Sequence, residues 1–248
     1  MSTITTIDIK QLKKYKKEVT RFLMVYQFGL DELNTKINIL KQEFHYIHDY
    51  NPIENVKSRI KSPESILKKL HRKNLKFSRS SIKESMKDIA GIRITCSFVS
   101  DIYEISKMLE CQHDIDVIEI KDYIKNPKPN GYQSLHLILK IPVFMSDRTE
   151  MVYVEIQIRT IAMDFWASLE HKIYYKYNKG VPVRMLNELK NAADTVAQLD
   201  KKMEELHKEV RELDSDDDYE YESKLLNFSN EKFNIPMELL EAISDNNS

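Results

Sequence analysis

Residues 152–160, Val-Tyr-Val-Glu-Ile-Gln-Ile-Arg-Thr, alternate strictly between apolar and polar. A period of two is the signature of a β-strand with two different faces. Val152, Val154, Ile156 and Ile158 fall on one side, and Tyr153, Glu155, Gln157 and Arg159 on the other. Neighbours on one face of a strand stand about 7 Å apart and are held there by the sheet. The apolar row requires helices packed against it. The polar row leaves two readings open: a solvated face, or a fixed rank of carboxylate, amide and guanidinium at a site. What the rest of the chain brings to it decides between them.

Glycine is scarce. Gly29, Gly91, Gly131 and Gly180 are the only four in 248 residues. That excludes a Gly-rich phosphate loop of the Walker or dinucleotide type, so a nucleotide would have to be held by side chains. The net charge of −1 gives no bulk field for a polyanion, and any electrostatic site must come from local segregation. Cys96 and Cys111 lack metal-ligand spacing and fit a reduced, cytoplasmic compartment. The N-terminus reaches its lysines without an apolar run, and no window approaches the roughly 18 apolar residues of a membrane span. The expectation is a cytoplasmic protein without a membrane partner.

Residues 8–49 read as helix, with Phe22, Tyr26, Leu30, Leu33, Ile37, Leu40, Phe44 and Ile47 at steps of three and four. Gly29 is a candidate break, and Asn51-Pro52 ends the helix. Residues 57–79 then hold nine cations against one acid, Glu64. Ser62 and Pro63 suit the N-cap and first position of a helix, with Ile66, Leu67 and Leu70 as its buried stripe. Ser65, Lys69 and Arg72 share another face, and Arg59 and Lys61 lie near the positive end. A polyphosphate site, a solvated basic helix and a nucleic-acid patch are all compatible with this charge.

Residues 89–96 form the next strand, with Asp88 at its entrance. Ile92, Ile94 and Cys96 share one face, and Arg93 projects on the other, where it needs a partner or a cavity. A short helix over 101–109 and a strand over 117–121 follow. Residues 125–131, Lys-Asn-Pro-Lys-Pro-Asn-Gly, are a loop that could act as a basic lid. Tyr132 is placed to stack on a base, and His136 leads into a strand over 137–142. After a hairpin at 146–149 comes the alternating strand, then a helix over 161–177 with Met163, Trp166, Ala167 and Tyr174 inward, and Asp164, Glu170 and His171 near the candidate site. From Pro182 a long helix carries Leu189, Ala192, Val196, Leu199, Met203, Leu206, Val210 and Leu213 as a heptad seam for packing on the domain or on another subunit. Seven acids in residues 212–222 read as a solvated linker, followed by a polar tail with a short helix at 237–243.

The expected fold is α+β, a mixed β-sheet of about five strands flanked by helices. Residues 1–50 would be N-terminal helices, 51–180 the catalytic domain, 181–214 the long oligomerisation helix, and 215–248 the acidic linker and tail. Asp88 and Glu155 are hard oxygen ligands of the kind Mg²⁺ takes. With the cations of 57–79 nearby, they point to metal-assisted phosphoryl-type transfer.

Three stretches carry a resemblance: Gly131-Tyr132-x-Ser134-x-His136, Val154-Glu155-Ile156-Gln157-Ile158-Arg159-Thr160, and Phe165-Trp166-Ala167-Ser168-Leu169-Glu170-His171. With Asp88-Ile89-Ala90-Gly91-Ile92-Arg93, they resemble the (p)ppGpp synthetase domain of the RelA/SpoT family from about Pro52 to Lys176. The length is similar to that of a small alarmone synthetase. The resemblance implies a nucleotidyltransferase-like fold and transfer of a diphosphate from ATP to the 3′-hydroxyl of GDP or GTP, giving ppGpp or pppGpp and AMP. It further implies that Arg59 and Arg93 sandwich adenine, and that Lys61, Ser65, Lys69 and Arg72 hold the ATP phosphates. Asp88 and Glu155 would bind Mg²⁺, with Glu155 also drawing the proton from the 3′-hydroxyl. Tyr132 would stack on guanine. His136, Gln157 and Asp164 would position the acceptor, and Lys121 and Lys128 would reach its phosphates.

Many RelQ-type members have Asn where this chain has Asp164, an acid that can still accept from the guanine edge. The RelQ type also has an aromatic and a hydroxyl residue in the stretch aligned with Asn55 and Lys57; their absence makes the RelP type the closer resemblance and counts against RelQ-type regulation. Both types imply a homotetramer. Only His48-Asp49 and His113-Asp114 are His-Asp pairs, so no product hydrolase is expected. The competing functions are a nucleotidyltransferase of related fold that releases pyrophosphate, and a non-catalytic RNA-binding regulator.

Overall fold

The apolar row at 152–158 is covered as its period requires. In the computed structural model the described residues are 9–47, 50–76, 78–176, 181–214, 225–228 and 231–234. The chain divides into two compact units, residues 1–204 and 205–248. The first holds a five-stranded sheet built from β1 (Ile53–Ile60), β2 (Ala90–Cys96), β3 (Asp116–Asp122), β4 (Leu135–Phe144) and β5 (Thr149–Thr160), in the order β1-β2-β5-β4-β3. β2 and β5 run parallel, and every other neighbouring pair is antiparallel.

One face of this sheet is the core. Val152, Val154, Ile156 and Ile158 of β5 are buried beside Ile92, Ile94 and Cys96 of β2 and Leu135, Leu137, Leu139 and Ile141 of β4. α1 (Ile9–Ile47) covers them with Val25, Tyr26, Leu30, Leu33 and Ile37, and α4 (Val99–Glu110) adds Ile102, Ile105 and Leu109. Truncating one of these leucines or isoleucines to Ala would cost roughly 2–5 kcal/mol.

α1 is continuous through Gly29, against the expected break. A Cβ built there would lie 3.1 Å from Val152 Cγ1. The glycine lets the helix lie close on β5, and that packing outweighs its poor helix propensity.

The basic segment contains more structure than one helix. Residues 57–60 belong to β1, an edge strand, and α2 (Pro63–Arg72) follows directly. Ser62 Oγ caps α2 by accepting from Ser65 N–H at 3.3 Å, with Pro63 at the first position. Ile66 and Leu70 are buried, but Leu67 is exposed; a ten-residue surface helix turns only a narrow stripe inward. α3 (Arg79–Ser85) was not anticipated.

α5 (Ile161–Lys176) leaves β5 without a loop. Trp166 and Ala167 pack on Ala193 of α6 (Val183–Asp214), with Leu189 and Val196 beside them, and Trp166 Nε1 donates to Leu189 O at 3.0 Å. The stripe by which α6 docks within the first unit is therefore Leu189, Ala193, Val196 and Asp200. Ala192, Leu199 and Met203 of the expected seam lie on an exposed face.

The second unit contains the end of α6, where Leu206 and Val210 are exposed, and an antiparallel pair, β6 (Leu225–Phe228) and β7 (Glu231–Asn234), in a region read from sequence as linker and tail. The acid-rich stretch from 215, the helix expected at 237–243, the pair His48-Asp49 and the side chain of Tyr174 lie outside the described residues. Among the described residues no helix is long and apolar enough to cross a membrane.

Candidate active site

The register of the sheet assembles its polar face as a grid. Arg59 of β1 pairs with Gly91 of β2, Gly91 with Glu155 of β5, and Glu155 with Ile138 of β4. One step along, Lys57 pairs with Arg93, Arg93 with Gln157, and Gln157 with His136. Lys57, Arg59, Gly91, Arg93, Glu155 and Gln157 line a cavity of about 200 Å³. Glu155 and Gln157 of the β5 polar row wall this cavity and Arg159 is buried, so the row is not a solvated face. Gly91 contributes no side chain between Arg59 and Glu155, which keeps the cavity floor open.

Asp88 stands in the turn that leads into β2. Its Oδ2 accepts from Lys61, on the β1–α2 connector, and from Lys69 of α2. Its Oδ1 is buried with no hydrogen-bond partner. Burial raises the Asp88 pKa, but the two ammonium groups outweigh it and hold the carboxyl below its ordinary value.

Glu155 belongs to a closed ring of polar contacts. Gln157 Nε2 donates to Glu155 Oε2 at 3.0 Å, and His136 Nδ1 lies 3.4 Å from Oε1. His136 Nε2 is 2.8 Å from the Tyr132 hydroxyl, which accepts from Arg159 Nη2 at 2.6 Å. Arg159 Nη2 also donates to Gln157 Oε1 at 2.9 Å and closes the ring. Arg159 donates to Tyr132, so the hydroxyl proton is directed at His136 Nε2 and the Nδ1–H at Glu155. Burial raises the Glu155 pKa. His136 and Gln157 more than offset that, and Asp88 is close enough for its charge to act upward.

Asp164, on the first turn of α5, ties the ring to the cavity. Its Oδ1 accepts from Arg159 Nη1 and forms an ion pair with Arg93 Nη1, each at 3.1 Å. Burial and the Arg159 charge lower the Arg93 pKa, while Asp164 opposes them.

Most expected residues thus converge, but several stand differently from expectation. Lys61 and Lys69 are on Asp88. Ser65 and Arg72 are exposed on α2. Lys121 lies opposite His136 in the β3–β4 register, half-exposed and paired with Glu119 at 3.2 Å. Lys128 Nζ sits over the rings of Tyr123 and Tyr132 at 4.6 and 4.5 Å. Its loop is no free lid: Gly131 N–H donates to Lys128 O at 2.8 Å and Lys128 N–H to Tyr132 O at 3.1 Å. Gly131 has φ +87°, and a Cβ there would meet Ala193 Cβ at 2.5 Å, so the loop end is seated on α6.

Sequence reasoning missed Lys57 and Tyr123. Lys57 lies two residues before Arg59, a signal usable only once β1 is known to be a strand. Tyr123 touches Tyr132 and His136 edge-on at 6.0 and 5.1 Å, and nothing in its sequence context announced it.

The donor set fits a hard divalent cation. One buried carboxylate oxygen lacks a partner, and a second carboxylate nearby is kept ionised. Among the described residues no group of three or more His, Cys, Asp or Glu is gathered. A two-carboxylate site completed by phosphate oxygens and water is the pattern Mg²⁺ favours.

Residues 58–180 match the family model described as "Region found in RelA / SpoT proteins". The chain is 52% identical over 208 residues to the GTP pyrophosphokinase YwaC of Bacillus subtilis, covering 84% of this chain and 98% of that protein. The solved small alarmone synthetase 2 from Bacillus subtilis superposes with a TM-score of 0.70 at 53% identity, over 79% of this chain and 98% of that one. Small alarmone synthetase 1 from the same organism, bound to its product pppGpp, gives a TM-score of 0.73 at 39% identity, over 78% and 98%.

Proposed function

The chain belongs to the RelA/SpoT family, and from that premise we propose that it is a GTP pyrophosphokinase, a synthetase of (p)ppGpp. It moves the β,γ-diphosphate of ATP to the 3′-hydroxyl of GDP or GTP and releases AMP. The observation that carries this reading is the grid itself. A cavity between two arginines adjoins a paired-carboxylate centre, and a tyrosine–histidine–arginine ring flanks that centre on the other side.

Arg59 and Arg93, neighbouring cations on β1 and β2, clasp the adenine of ATP, because planar guanidiniums stack on a π-face. Lys61, Ser65, Lys69 and Arg72 gather at the N-terminal end of α2 and along one side of it, and they hold the triphosphate. Lys57 adds a cation to the same wall. Tyr132 presents its ring to the guanine, with Lys128 as the charge that leaves that ring for the acceptor phosphates and Lys121 as a second one at the rim. His136 and Gln157 orient the acceptor ribose, and Asp164 accepts from the guanine edge. Asp88 and Glu155 hold Mg²⁺, which supplies charge neutralisation at the transferring phosphates.

The 3′-oxygen forms a bond to the β-phosphorus, and the bond from that phosphorus to the oxygen bridging it to the α-phosphorus breaks. AMP leaves with that oxygen, and the hydroxyl proton passes to Glu155. A carboxylate held below its ordinary pKa is a weak base, but it is ionised throughout the neutral range. A loose phosphoryl-transfer transition state asks little deprotonation of the nucleophile before attack. The protein is read as cytoplasmic and as a homotetramer, supported by exposed apolar residues on α1 and α6. RNA binding is not the primary role in this reading, because a nucleic-acid binder needs the cations but not Asp88 and Glu155, which repel phosphate without a metal.

Incubation with ATP, GDP and Mg²⁺, resolved by anion exchange, tests the reading. Equal yields of AMP and tetraphosphorylated guanosine are expected; pyrophosphate release, or no turnover with salt-sensitive RNA binding, overturns it. Glu155→Gln is expected to abolish synthesis while thermal melting stays near that of the parent. Activity above a few per cent of the parent would remove Glu155 from its role.

A further inference from the structure

The two nucleotide subsites are joined by one carboxylate oxygen. Arg93 lines the cavity, and Arg159 holds the Tyr132 hydroxyl and the Gln157 amide; Asp164 Oδ1 accepts from Arg159 Nη1 and forms an ion pair with Arg93 Nη1, each at 3.1 Å. Arg159 is almost wholly buried and Arg93 half-buried, and the Nε of each is buried without a hydrogen-bond partner. The two arginines carry like charges at close range, and the shared carboxylate makes that proximity tolerable.

We infer that Asp164, through its shared hold on Arg93 and Arg159, couples the two nucleotide subsites so that each nucleotide tightens the binding of the other. This rests on the reading above, which places ATP against Arg93 and the guanine nucleotide against Tyr132. When a purine takes the plane of Arg93, that guanidinium gives up its share of Asp164. The carboxylate then falls to Arg159 alone and holds it harder, and Arg159 in turn fixes the Tyr132 hydroxyl and the Gln157 amide. The acceptor therefore meets a stiffer subsite and loses less entropy on binding. In the other direction, an acceptor seated on Tyr132 fixes Arg159 against Asp164 and loosens Arg93 for the purine. Linkage requires the two effects to be equal in size. Asparagine at this position can still accept a hydrogen bond, but it lacks the charge that holds two guanidiniums together. Asp164 is thus a positioning residue for both substrates.

Calorimetry of the full chain with Mg²⁺, titrating GDP with and without saturating AMPCPP, reads the coupling. In the parent protein AMPCPP should tighten GDP by about fivefold or more, the usual lower range of coupling between sites. In Asp164→Asn the factor should fall below about twofold, with AMPCPP alone still binding and GDP alone binding more weakly, because its guanine contact is altered as well. A conservative amide that only perturbed the fold would weaken each nucleotide alone and leave the factor unchanged. If AMPCPP binds the parent and leaves GDP affinity unaltered, or if Asp164→Asn keeps the parental factor, the coupling role is overturned while the synthetase reading stands. If AMPCPP does not bind the parent at all, the placement of ATP falls and the coupling falls with it.

Discussion

Arg159 is the most deeply placed charge of the polar face, 4% exposed, and three different groups depend on its fork: Asp164, Gln157 and the Tyr132 hydroxyl. A lysine keeps the charge but cannot span three acceptors with one compact ammonium. Arg159→Lys is expected to lower synthesis at least tenfold, with a rise in the apparent KM for GDP, measured by initial rates. Parental kinetics would show that the fork is dispensable. The carboxylates set a pH dependence of known sign. Asp88 and Glu155 both have folded pKa values below their ordinary ones, so their contribution to stability is present above the ordinary carboxylate range, about pH 4. It is lost as pH falls through the lower folded values. Chemical denaturation between neutral pH and pH 3 should show that loss, and Glu155→Gln should flatten it. At this scale the sequence was informative where period alone aims a side chain. Alternation placed Glu155, Gln157 and Arg159 on one face, and the cost of an unpaired Arg93 demanded the partner it has. Asp164 was legible as a polar residue near the candidate site, but its bridge to Arg93 was not. That bridge depends on where α5 starts relative to β2, which no local pattern records.

Two elements are fitted to the sheet by single residues. Gly29 brings α1 onto Val152. Gly29→Leu would push several atoms into a contact that is already tight for one, and should lower stability by about 1–3 kcal/mol, read as an earlier urea midpoint. α6 is fitted by Asp200, 7% exposed, whose carboxylate accepts from Thr160 Oγ1 at 2.7 Å. The same Thr160 oxygen accepts from Met163 N–H at 3.1 Å, at the point where β5 becomes α5. Burial raises the Asp200 pKa, against the Thr160 hydrogen bond. A raised folded value means stability is gained as pH drops and lost as pH rises through it. Asp200→Asn should therefore melt at or above the parent at neutral pH, while Asp200→Ala, which orphans a buried hydroxyl, should lose about 1–3 kcal/mol. The long helices and the strongly alternating strands could be read from periodicity. β1 could not: as an edge strand it has five exposed positions out of eight, and the density of lysine and arginine hid it within a basic stretch. Of the α6 seam, Leu189 and Val196 dock as read, but Ala193 and Asp200 turn inward in place of Ala192 and Leu199, because a helix with one stripe on the domain and another exposed offers two superposed periods.

Across the whole molecule, apolar side chains collect on helix surfaces the monomer does not cover. Ile9, Leu12, Tyr15 and Val19 lie exposed along the start of α1, and Leu199 and Met203 on α6. Such residues at helical spacing are the material of helix–helix association, consistent with the proposed homotetramer. Replacing Leu199 and Met203 together by lysine should reduce the mass seen by light scattering while leaving the circular dichroism of the fold; an unchanged mass would place the assembly contacts elsewhere.

The parallel pairing of β2 with β5 has one more consequence. Every other strand contact joins sequence neighbours: β1 with β2, and β3 with β4 with β5. The sheet is thus two locally closed pieces zipped along a single long-range line, and the candidate site lies across that zipper. Arg59, Asp88 and Arg93 come from the first piece; Tyr132, His136, Glu155, Gln157 and Arg159 come from the second. The link between them crosses an exposed turn at His113 and Asp114. Cut there, the gene would encode two inert fragments, and activity on mixing them would report the moment the zipper closes.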